Sequence, residues 1–151
     1  MRKIDLKLVD GEYENPLKNA IHHPEDISRI FRSLKDKASE TLLVIYLQHD
    51  LTGIYDVHST GPSGTTVFDA QDLFGRAYVT RSRYMILVHN HPSGDATPSP
   101  EDLQNLSDIL ALAKPMRSIS LLDFIIIGED DIWSWFEENE GGDYTQGALN
   151  G

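Results

Sequence analysis

The sequence predicts an α/β domain in which a mixed β-sheet is sandwiched by helices. Two apolar runs, residues 41–47 and 84–88, are typical of strands, and the near-continuous run at 41–47 is typical of a strand covered on both faces. Segments with apolar residues at helical spacing lie between these runs, which is the element order of a mixed α/β domain. With 151 residues and 40% apolar content, the chain can bury one substantial core. We therefore expect a single domain over residues 1–136, with its core at about residues 24–136.

The first part of the chain predicts a strand, a loop and a helix. Residues 1–9 alternate apolar and polar side chains, which predicts a short strand, and residues 11–19 are polar and loop-like. A helix begins near Pro24, because proline suits the first helical position and Glu25 and Asp26 follow in the first turn. The apolar residues of this helix would form one buried stripe: Ile27, Ile30, Phe31 and Leu34.

The middle of the chain predicts two strands and a second helix. The run at 41–47 is expected to be a central strand, and residues 53–60 the next strand, antiparallel to it. Residues 61–64 form a loop of Gly, Pro and Ser, and Asp69 can cap the helix that follows. The apolar face of that helix is expected to hold Leu73, Phe74, Ala77 and Tyr78.

The remaining elements complete the predicted sheet. The run at 84–88 is a strand, and a third helix opens at Pro100 after a loop rich in Pro, Ser and Gly. Residues 119–127 and 132–136 predict the last two strands, and residues 137–151 form an acidic, glycine-rich tail that we expect to be disordered. The third helix is expected to bury Leu103, Leu106, Ile109, Leu110 and Ala113.

The charge balance argues against a nucleic-acid-binding function. The formal net charge is −11, because 13 Lys and Arg face 24 Asp and Glu. Binding to a nucleic-acid backbone depends on Lys and Arg that neutralise phosphates, so we do not expect a general nucleic-acid binder. A local basic patch around Arg76, Arg81 and Arg83 stays open as an alternative.

Cysteine content and apolar segments bear on location. The chain has no cysteine, which excludes disulfides, thiolate zinc sites and a cysteine nucleophile, and fits a reducing cytoplasm. No segment approaches the roughly 20 apolar residues of a transmembrane helix, and the N-terminus lacks the apolar region of a secretory signal. We therefore expect a cytoplasmic protein with no membrane partner.

Two histidines and an aspartate carry the strongest chemical signal. His89 and His91 end the apolar strand at 84–88, and strand alternation would project both imidazoles from one face. Ten residues separate His91 from Asp102, enough for a turn that returns a carboxylate to the histidines. Two imidazoles and one carboxylate form a natural zinc site with a fourth position open for water. The pattern therefore indicates a zinc hydrolase.

Asp102 also has a structural interpretation. Ser99-x-x-Asp102 matches a capping box, with Pro100 at the first helical position. The two interpretations are compatible, since a helix starting at Pro100 would hold Asp102 rigidly beside the strand end. Capping and metal binding would nevertheless compete for the same carboxylate.

A zinc hydrolase needs a proton acceptor for its water. Glu101 adjoins Asp102 but points about 100° around the helix from it. Glu40, at the start of the strand at 41–47, is the better candidate because a sheet would hold it in place. The alternative for Glu40 is an ordinary solvated residue at the entry to a strand.

These motifs together resemble the RadC-like JAB domain family, within the JAMM (MPN+) metallopeptidases. The resemblance rests on Glu40, on residues 89–94 (His-Asn-His-Pro-Ser-Gly) and on the run from Pro98 through Ser99 to Asp102. It extends over roughly residues 24–136 and implies the JAB/MPN fold, a cytidine-deaminase-like α/β sandwich.

The resemblance also implies a mechanism. His89, His91 and Asp102 would bind Zn²⁺, Glu40 would act as the general acid/base that activates water, and Ser99 would hydrogen-bond the tetrahedral oxyanion. The implied reaction is hydrolysis of a peptide or isopeptide bond in a peptide or protein substrate. The alternative is a RadC-type accessory or binding module, of the kind that a mobile element could encode, with a metal site and little or no hydrolysis.

The chain departs from the family pattern in three places. One is the start of the second helix, which has Asp69-Ala70-Gln71-Asp72 where many relatives have Pro-Arg-Glu. Relatives often carry Asp-His before the late strand, where this chain has Asp123-Phe124, so any role of that histidine is lost. Longer relatives also carry an N-terminal helix-hairpin-helix region, for which this chain is too short. Family naming links RadC to DNA repair, but without that region, and with a net charge of −11, DNA binding is not expected.

Overall fold

A five-stranded mixed sheet forms the centre of the computed structural model, which describes residues 1–13, 20–62 and 68–150. Its strands lie in the order β2–β1–β3–β4–β5. Strands β3 and β4 are parallel, and the other neighbours are antiparallel, as predicted for β1 and β2. The strands are β1 (Glu40–Leu47), β2 (Gly53–Gly61), β3 (Tyr84–Asn90), β4 (Ser120–Ile127) and β5 (Ile132–Ser134).

The first three helices begin where the sequence predicts. Helix α1 starts at Pro24, α2 directly after its cap Asp69, and α3 at Pro100. Helix α1 is short and continues into a 3₁₀ turn at Arg32–Asp36. The helices are α1 (Pro24–Ile30), α2 (Ala70–Val79), α3 (Pro100–Ala113), α4 (Trp135–Asn139) and α5 (Tyr144–Asn150).

Strands β1 and β3 are buried along their whole length, which explains their continuous apolar runs. Alternate residues of β1 enter two separate apolar clusters, one on each face of the sheet. One cluster joins β1 to α1, the 3₁₀ turn and the C-terminal segment, through Leu43, Ile45, Ile27, Leu34 and Phe136. The other joins β1 to α2 and α3, through Leu42, Val44, Leu73, Leu106 and Ile109. The predicted sandwich of helices around a mixed sheet is therefore confirmed.

Two predictions at the ends of the chain are wrong. Residues 1–9 form no strand, and the alternating Ile4, Leu6 and Leu8 are exposed, because no described strand pairs with them. Residues 137–150, which the sequence predicts to be disordered, instead include most of α4 and all of α5. A single buried aromatic residue orders this polar segment, since Tyr144 is fully buried and donates a hydrogen bond to Asp123.

Smaller differences concern the ends and faces of elements. Strand β5 ends at Ser134 rather than 136, because Ser134 accepts a hydrogen bond from the Glu137 N–H and so caps α4. Tyr78 and Leu103, both predicted to be inside, are exposed to about half of their surface. The predicted loops at 11–19 and 61–64 lie partly outside the described residues. Among the helices of the described ranges, none is both long enough and apolar enough to cross a membrane.

Candidate metal centre

The two histidines lie at the carboxyl end of β3, on the side of the sheet that carries α3. His89 is inside the strand, and His91 follows it, held beside β4 by a bond from its N–H to the Ile127 carbonyl (3.1 Å). The two imidazole centroids are 5.0 Å apart. The predicted projection from one face is therefore confirmed.

Asp102 reaches both histidines from the first turn of α3. Its Oδ1 lies 3.1 Å from His89 Nε2, and its Oδ2 lies 3.0 Å from His91 Nε2. Asp102 as a residue is 6% exposed, so both contacts are shielded from bulk water. The loop after His91 thus returns Asp102 to the histidines, as the spacing predicts.

The capping box at the start of α3 is also present. Ser99 Oγ accepts from the Asp102 N–H (3.1 Å), and Asp102 Oδ2 accepts from the Ser99 N–H (2.7 Å). The predicted competition for the carboxylate is resolved by geometry, because an ionised carboxylate offers about four acceptor positions. Capping occupies one position on Oδ2, and both oxygens still face the histidines. The cap therefore fixes the carboxylate.

Glu40 completes the cluster from the first residue of β1. Since β1 and β3 are neighbours with Leu42 opposite His89, Glu40 lies close to the end of β3. Its Oε1 is 3.1 Å from His89 Nδ1, and the residue is only 5% exposed. The alternative of a solvated strand-entry residue is therefore wrong. Glu101, the weaker candidate, is exposed.

The Nδ1 atom of each imidazole has a hydrogen-bond partner that can orient the ring. His89 Nδ1 is bonded to Glu40, and His91 Nδ1 to the Asp95 backbone carbonyl at 2.8 Å. A proton on each Nδ1 would leave both Nε2 lone pairs directed at the same point, as metal-binding histidines require. The sequence does not reveal the role of Asp95, because a backbone carbonyl is the same for every residue type.

One buried nitrogen in this cluster lacks a hydrogen bond. Within the described part of the chain, His89 Nε2 has no hydrogen-bond partner, although Asp102 Oδ1 is nearby. A buried polar atom without a partner is costly, and a bound cation would satisfy it. One ligand atom each from Glu40, His89, His91 and Asp102 lies within 4.8 Å of the others. The cluster could therefore hold a metal ion.

The electrostatics of Asp102 also favour a cation. Burial opposes ionisation of Asp102, but the close contacts of its carboxylate with the His89 and His91 imidazoles outweigh burial and hold the pKa of this carboxyl far below its usual range. Burial likewise opposes the charged form of His89, yet its close contact with Asp102 and its hydrogen bond with Glu40 raise its pKa. A metal ion would take the place of the proton on each Nε2 beside Asp102, and each Nδ1 would keep its proton.

An apolar wall encloses one side of the cluster. The Phe124 ring contacts His89 edge to face, with centroids 5.4 Å apart. Together with Leu42, Phe68 and Leu87 it lines a cavity of about 10 Å³ beside His89 and Asp102. Such a cavity has room for about one water molecule. Phe124 is the residue that departs from the Asp-His pattern, and here it provides apolar packing against a proposed ligand.

Comparison with known proteins agrees with this geometry. The family model described as the RadC-like JAB domain matches residues 21–141. A UPF0758 protein of Alkaliphilus oremlandii is 34% identical over 120 residues, which cover 78% of this chain and 51% of the relative. One from Syntrophomonas wolfei is 35% identical (75% and 50% covered), and one from Chlorobium luteolum 31% identical (82% and 60% covered). The chain thus spans about half the length of the curated relatives it matches.

Proposed function

The chain belongs to the RadC-like JAB domain family, and from this premise we propose that it is a zinc-dependent hydrolase of peptide or isopeptide bonds. The observation that carries the proposal is the convergence of Glu40, His89, His91 and Asp102, from three separate elements, on one buried point. Buried carboxylates and imidazoles of this kind are typical of sites that activate water.

Zinc is the metal that suits these donor atoms. Two imidazole nitrogens and one carboxylate oxygen, from His89, His91 and Asp102, match the ligand set of catalytic zinc sites. When bound, zinc lowers the pKa of a coordinated water to about 7 and so supplies a hydroxide nucleophile near neutral pH. The Nδ1 partners of the two histidines, Glu40 and Asp95, would keep both rings oriented.

Glu40 is proposed to move the proton. It is buried beside His89, where its carboxylate can accept a proton from the attacking water and then deliver it to the leaving amine. The carbonyl carbon gains the hydroxyl group, its bond to nitrogen breaks, and the amine leaves with the proton. The short contact with His89 limits the directions in which the carboxylate can point.

Ser99 is proposed to stabilise the oxyanion. Its Oγ accepts from the Asp102 N–H, and this bond leaves the hydroxyl hydrogen to donate to an oxygen that becomes negative during attack. A donor that acts only as charge develops lowers the barrier without stabilising the bound substrate.

The proposed substrate is a peptide or protein in the cytoplasm. The reaction class calls for an amide bond, and the net charge of −11 makes a polyphosphate substrate unfavourable. The absence of cysteine is consistent with a reducing compartment.

Glu40→Gln tests the proposal most directly. The variant should retain one equivalent of zinc and lose hydrolysis of a peptide library by at least about 100-fold, because the amide cannot accept the proton. Glu101→Gln is the matched control, since it removes an exposed carboxylate next to Asp102 and should leave turnover unchanged. Metal analysis and mass spectrometry of the peptides give both readouts.

The outcomes separate the two candidate functions. Full turnover by Glu40→Gln would contradict the role of Glu40. A wild-type protein without zinc would overturn the proposal as a whole. Zinc binding without cleavage of any library member would favour the accessory or binding module instead.

A further inference from the structure

Asn90, the residue between the two histidines, is a buried polar side chain that the proposed mechanism does not use. It is 0% exposed. Because side chains alternate along β3, Asn90 leaves the sheet on the face opposite to that of His89. A side-chain amide buried to this extent needs hydrogen-bond partners within the protein.

The amide finds its partners on both sides of Glu40. The Thr41 N–H donates to Asn90 Oδ1 (2.8 Å), and Asn90 Nδ2 donates to the Ser39 carbonyl (3.1 Å). A further, longer contact runs from Nδ2 to the Lys37 carbonyl (3.4 Å). The backbone groups of the two residues that flank Glu40 are therefore both bonded to one side chain.

Only one orientation of the amide satisfies these groups. A flipped amide would place its NH₂ against the Thr41 N–H and its oxygen against two carbonyls, from Ser39 and Lys37. Both contacts would then be repulsive. The three partners therefore define which atom of Asn90 is oxygen and which is nitrogen.

Among the described residues, backbone hydrogen bonds between β1 and β3 do not extend as far as Glu40. The described pairing of β1 with β3 runs from Leu47–Tyr84 to Leu42–His89 and stops two residues short of Glu40. On the other side, β1 stays paired with β2 as far as Glu40 itself. Beyond Leu42, the Asn90 amide thus takes the place of a peptide group of β3.

We propose that Asn90 is a positioning residue that holds the Glu40 carboxylate against His89 Nδ1. His89 and Asn90 are neighbours in β3 with side chains on opposite faces of the sheet. The His89 imidazole contacts the Glu40 carboxylate, and Asn90 hydrogen-bonds to the backbone on both sides of Glu40. The catalytic consequence rests on the proposed function, whereas the structural link can be measured without substrate.

Asn90→Ser is the test variant. Asn90 accepts one hydrogen bond and donates two, whereas serine is too short to reach the same partners and has only one hydrogen to donate. Ser82→Ala is the matched control. Ser82 is 5% exposed, hydrogen-bonds to Thr80 Oγ1 (2.7 Å) and lies just before β3, at the end away from the histidines. Both variants remove buried hydrogen bonds, but only one of them touches the residues around Glu40.

Nuclear magnetic resonance of the zinc-loaded and metal-free proteins gives the decisive readout. In Asn90→Ser we expect the Thr41 N–H and the His89 Nδ1–H to exchange with solvent at least about 10-fold faster than in wild type. Turnover should fall about 10- to 100-fold, as for other residues that orient a metal ligand or its partner. Zinc should still bind at one equivalent. Ser82→Ala should not selectively accelerate exchange of the Thr41 N–H or the His89 Nδ1–H. It should also leave turnover unchanged.

Two results would overturn the inference. One is wild-type exchange of both protons in Asn90→Ser, and the other is equal acceleration in Ser82→Ala, which would show general destabilisation only. If Asn90→Ser does not fold, the wild-type protein gives the test through scalar coupling between the Thr41 N–H and the Asn90 side-chain carbonyl. Observed coupling supports the link, and its absence overturns it.

Failure of this inference can be distinguished from failure of the proposed function. Selective loss of proton protection in a protein that hydrolyses nothing would support the role of Asn90 and contradict the proposed hydrolysis. Zinc-dependent hydrolysis by the wild-type protein, with unchanged proton protection in Asn90→Ser, would support the proposed hydrolysis and contradict the role of Asn90.

Discussion

At the scale of single residues, Asp102 shows how one side chain can serve the fold and the site together. Its backbone N–H and carboxylate form the capping box with Ser99, and the same carboxylate contacts His89 and His91. A residue that caps a helix has a restricted side-chain direction, which is what a metal ligand needs. We therefore interpret the cap as the support of the site.

Ser99→Ala should lose two functions at once. Removal of the cap should lower the free energy of unfolding by about 1 kcal/mol. Loss of the proposed oxyanion donor should lower kcat by about 100- to 1,000-fold. Urea denaturation and peptide hydrolysis measure the two effects.

Asp69→Ala is the control for the cap of Ser99. Asp69 caps α2 by accepting from the Asp72 N–H (3.1 Å), and it is not one of the four residues that could hold the metal. This variant should lose similar stability and keep its turnover. A kcat of Ser99→Ala equal to that of wild type would contradict the oxyanion role and leave Ser99 a cap only.

At the scale of elements, the polar C-terminal segment is held to the sheet by Asp123 of β4. Asp123 is 0% exposed and accepts four hydrogen bonds. The Phe124 and Phe136 N–H groups bond to its Oδ1, and the Ser134 and Tyr144 hydroxyls to its Oδ2. One carboxyl thus connects β4, β5, α4 and α5.

Burial makes Asp123 a titrating group in the folded protein. Burial raises the pKa of Asp123 to about 6, although the hydrogen bonds that it accepts oppose the rise. The folded state therefore binds a proton more tightly than the unfolded chain, whose Asp has a pKa of about 3.9. The stabilisation is present below the unfolded pKa and is lost as the pH rises through about 6.

Asp123→Asn should remove this pH dependence. Between pH 4 and pH 7 the wild-type protein should lose, through Asp123, on the order of 3 kcal/mol of unfolding free energy that the neutral variant keeps. The variant remains compatible with its partners, because the two hydroxyls can rotate to accept from an amide. Urea denaturation over this pH range provides the measurement.

Asp108→Asn is the matched control for the titration of Asp123. It removes one carboxylate from the exposed face of α3 and so reproduces only the change in net charge. A pH profile of Asp123→Asn parallel to that of wild type, or reproduced by the control, would contradict the assignment.

At the scale of the whole molecule, the four residues that could hold a metal ion come from elements that are far apart in sequence. Glu40 comes from β1, His89 from β3 and Asp102 from α3. A ligand that binds only the folded state stabilises it in proportion to the logarithm of its concentration. Zinc should therefore stabilise the entire domain.

Zinc at 100 times its Kd should add about 2.7 kcal/mol and raise Tm by roughly 5–10 °C. His91→Ala should lose most of this shift, because one of the three proposed ligands is absent. His49→Ala, at an exposed position, should keep it. Calorimetry with and without zinc gives the result, and equal shifts in the two variants would mean that the metal binds elsewhere.

Much of the fold could be predicted from local pattern. The apolar runs at 41–47 and 84–88 predict buried strands, and Pro24, Asp69 and Pro100 mark three helix starts within a residue. The N-terminal alternation fails as a predictor because a strand also needs a partner for its backbone groups. The prediction of C-terminal disorder is wrong because the average polarity of the segment does not reveal that one of its side chains, Tyr144, is buried.

The candidate site divides in the same way. The sequence by itself determined the spacing of His89, His91 and Asp102, because strand alternation and a capped helix start constrain nearby residues. Only the tertiary structure decided that Glu40 is buried against His89, that Asp95 offers its carbonyl to His91, and that Asn90 bonds on both sides of Glu40. These contacts cross from one strand or loop to another. They depend on strand order and register, which follow from packing of the whole chain and from no local pattern of residues.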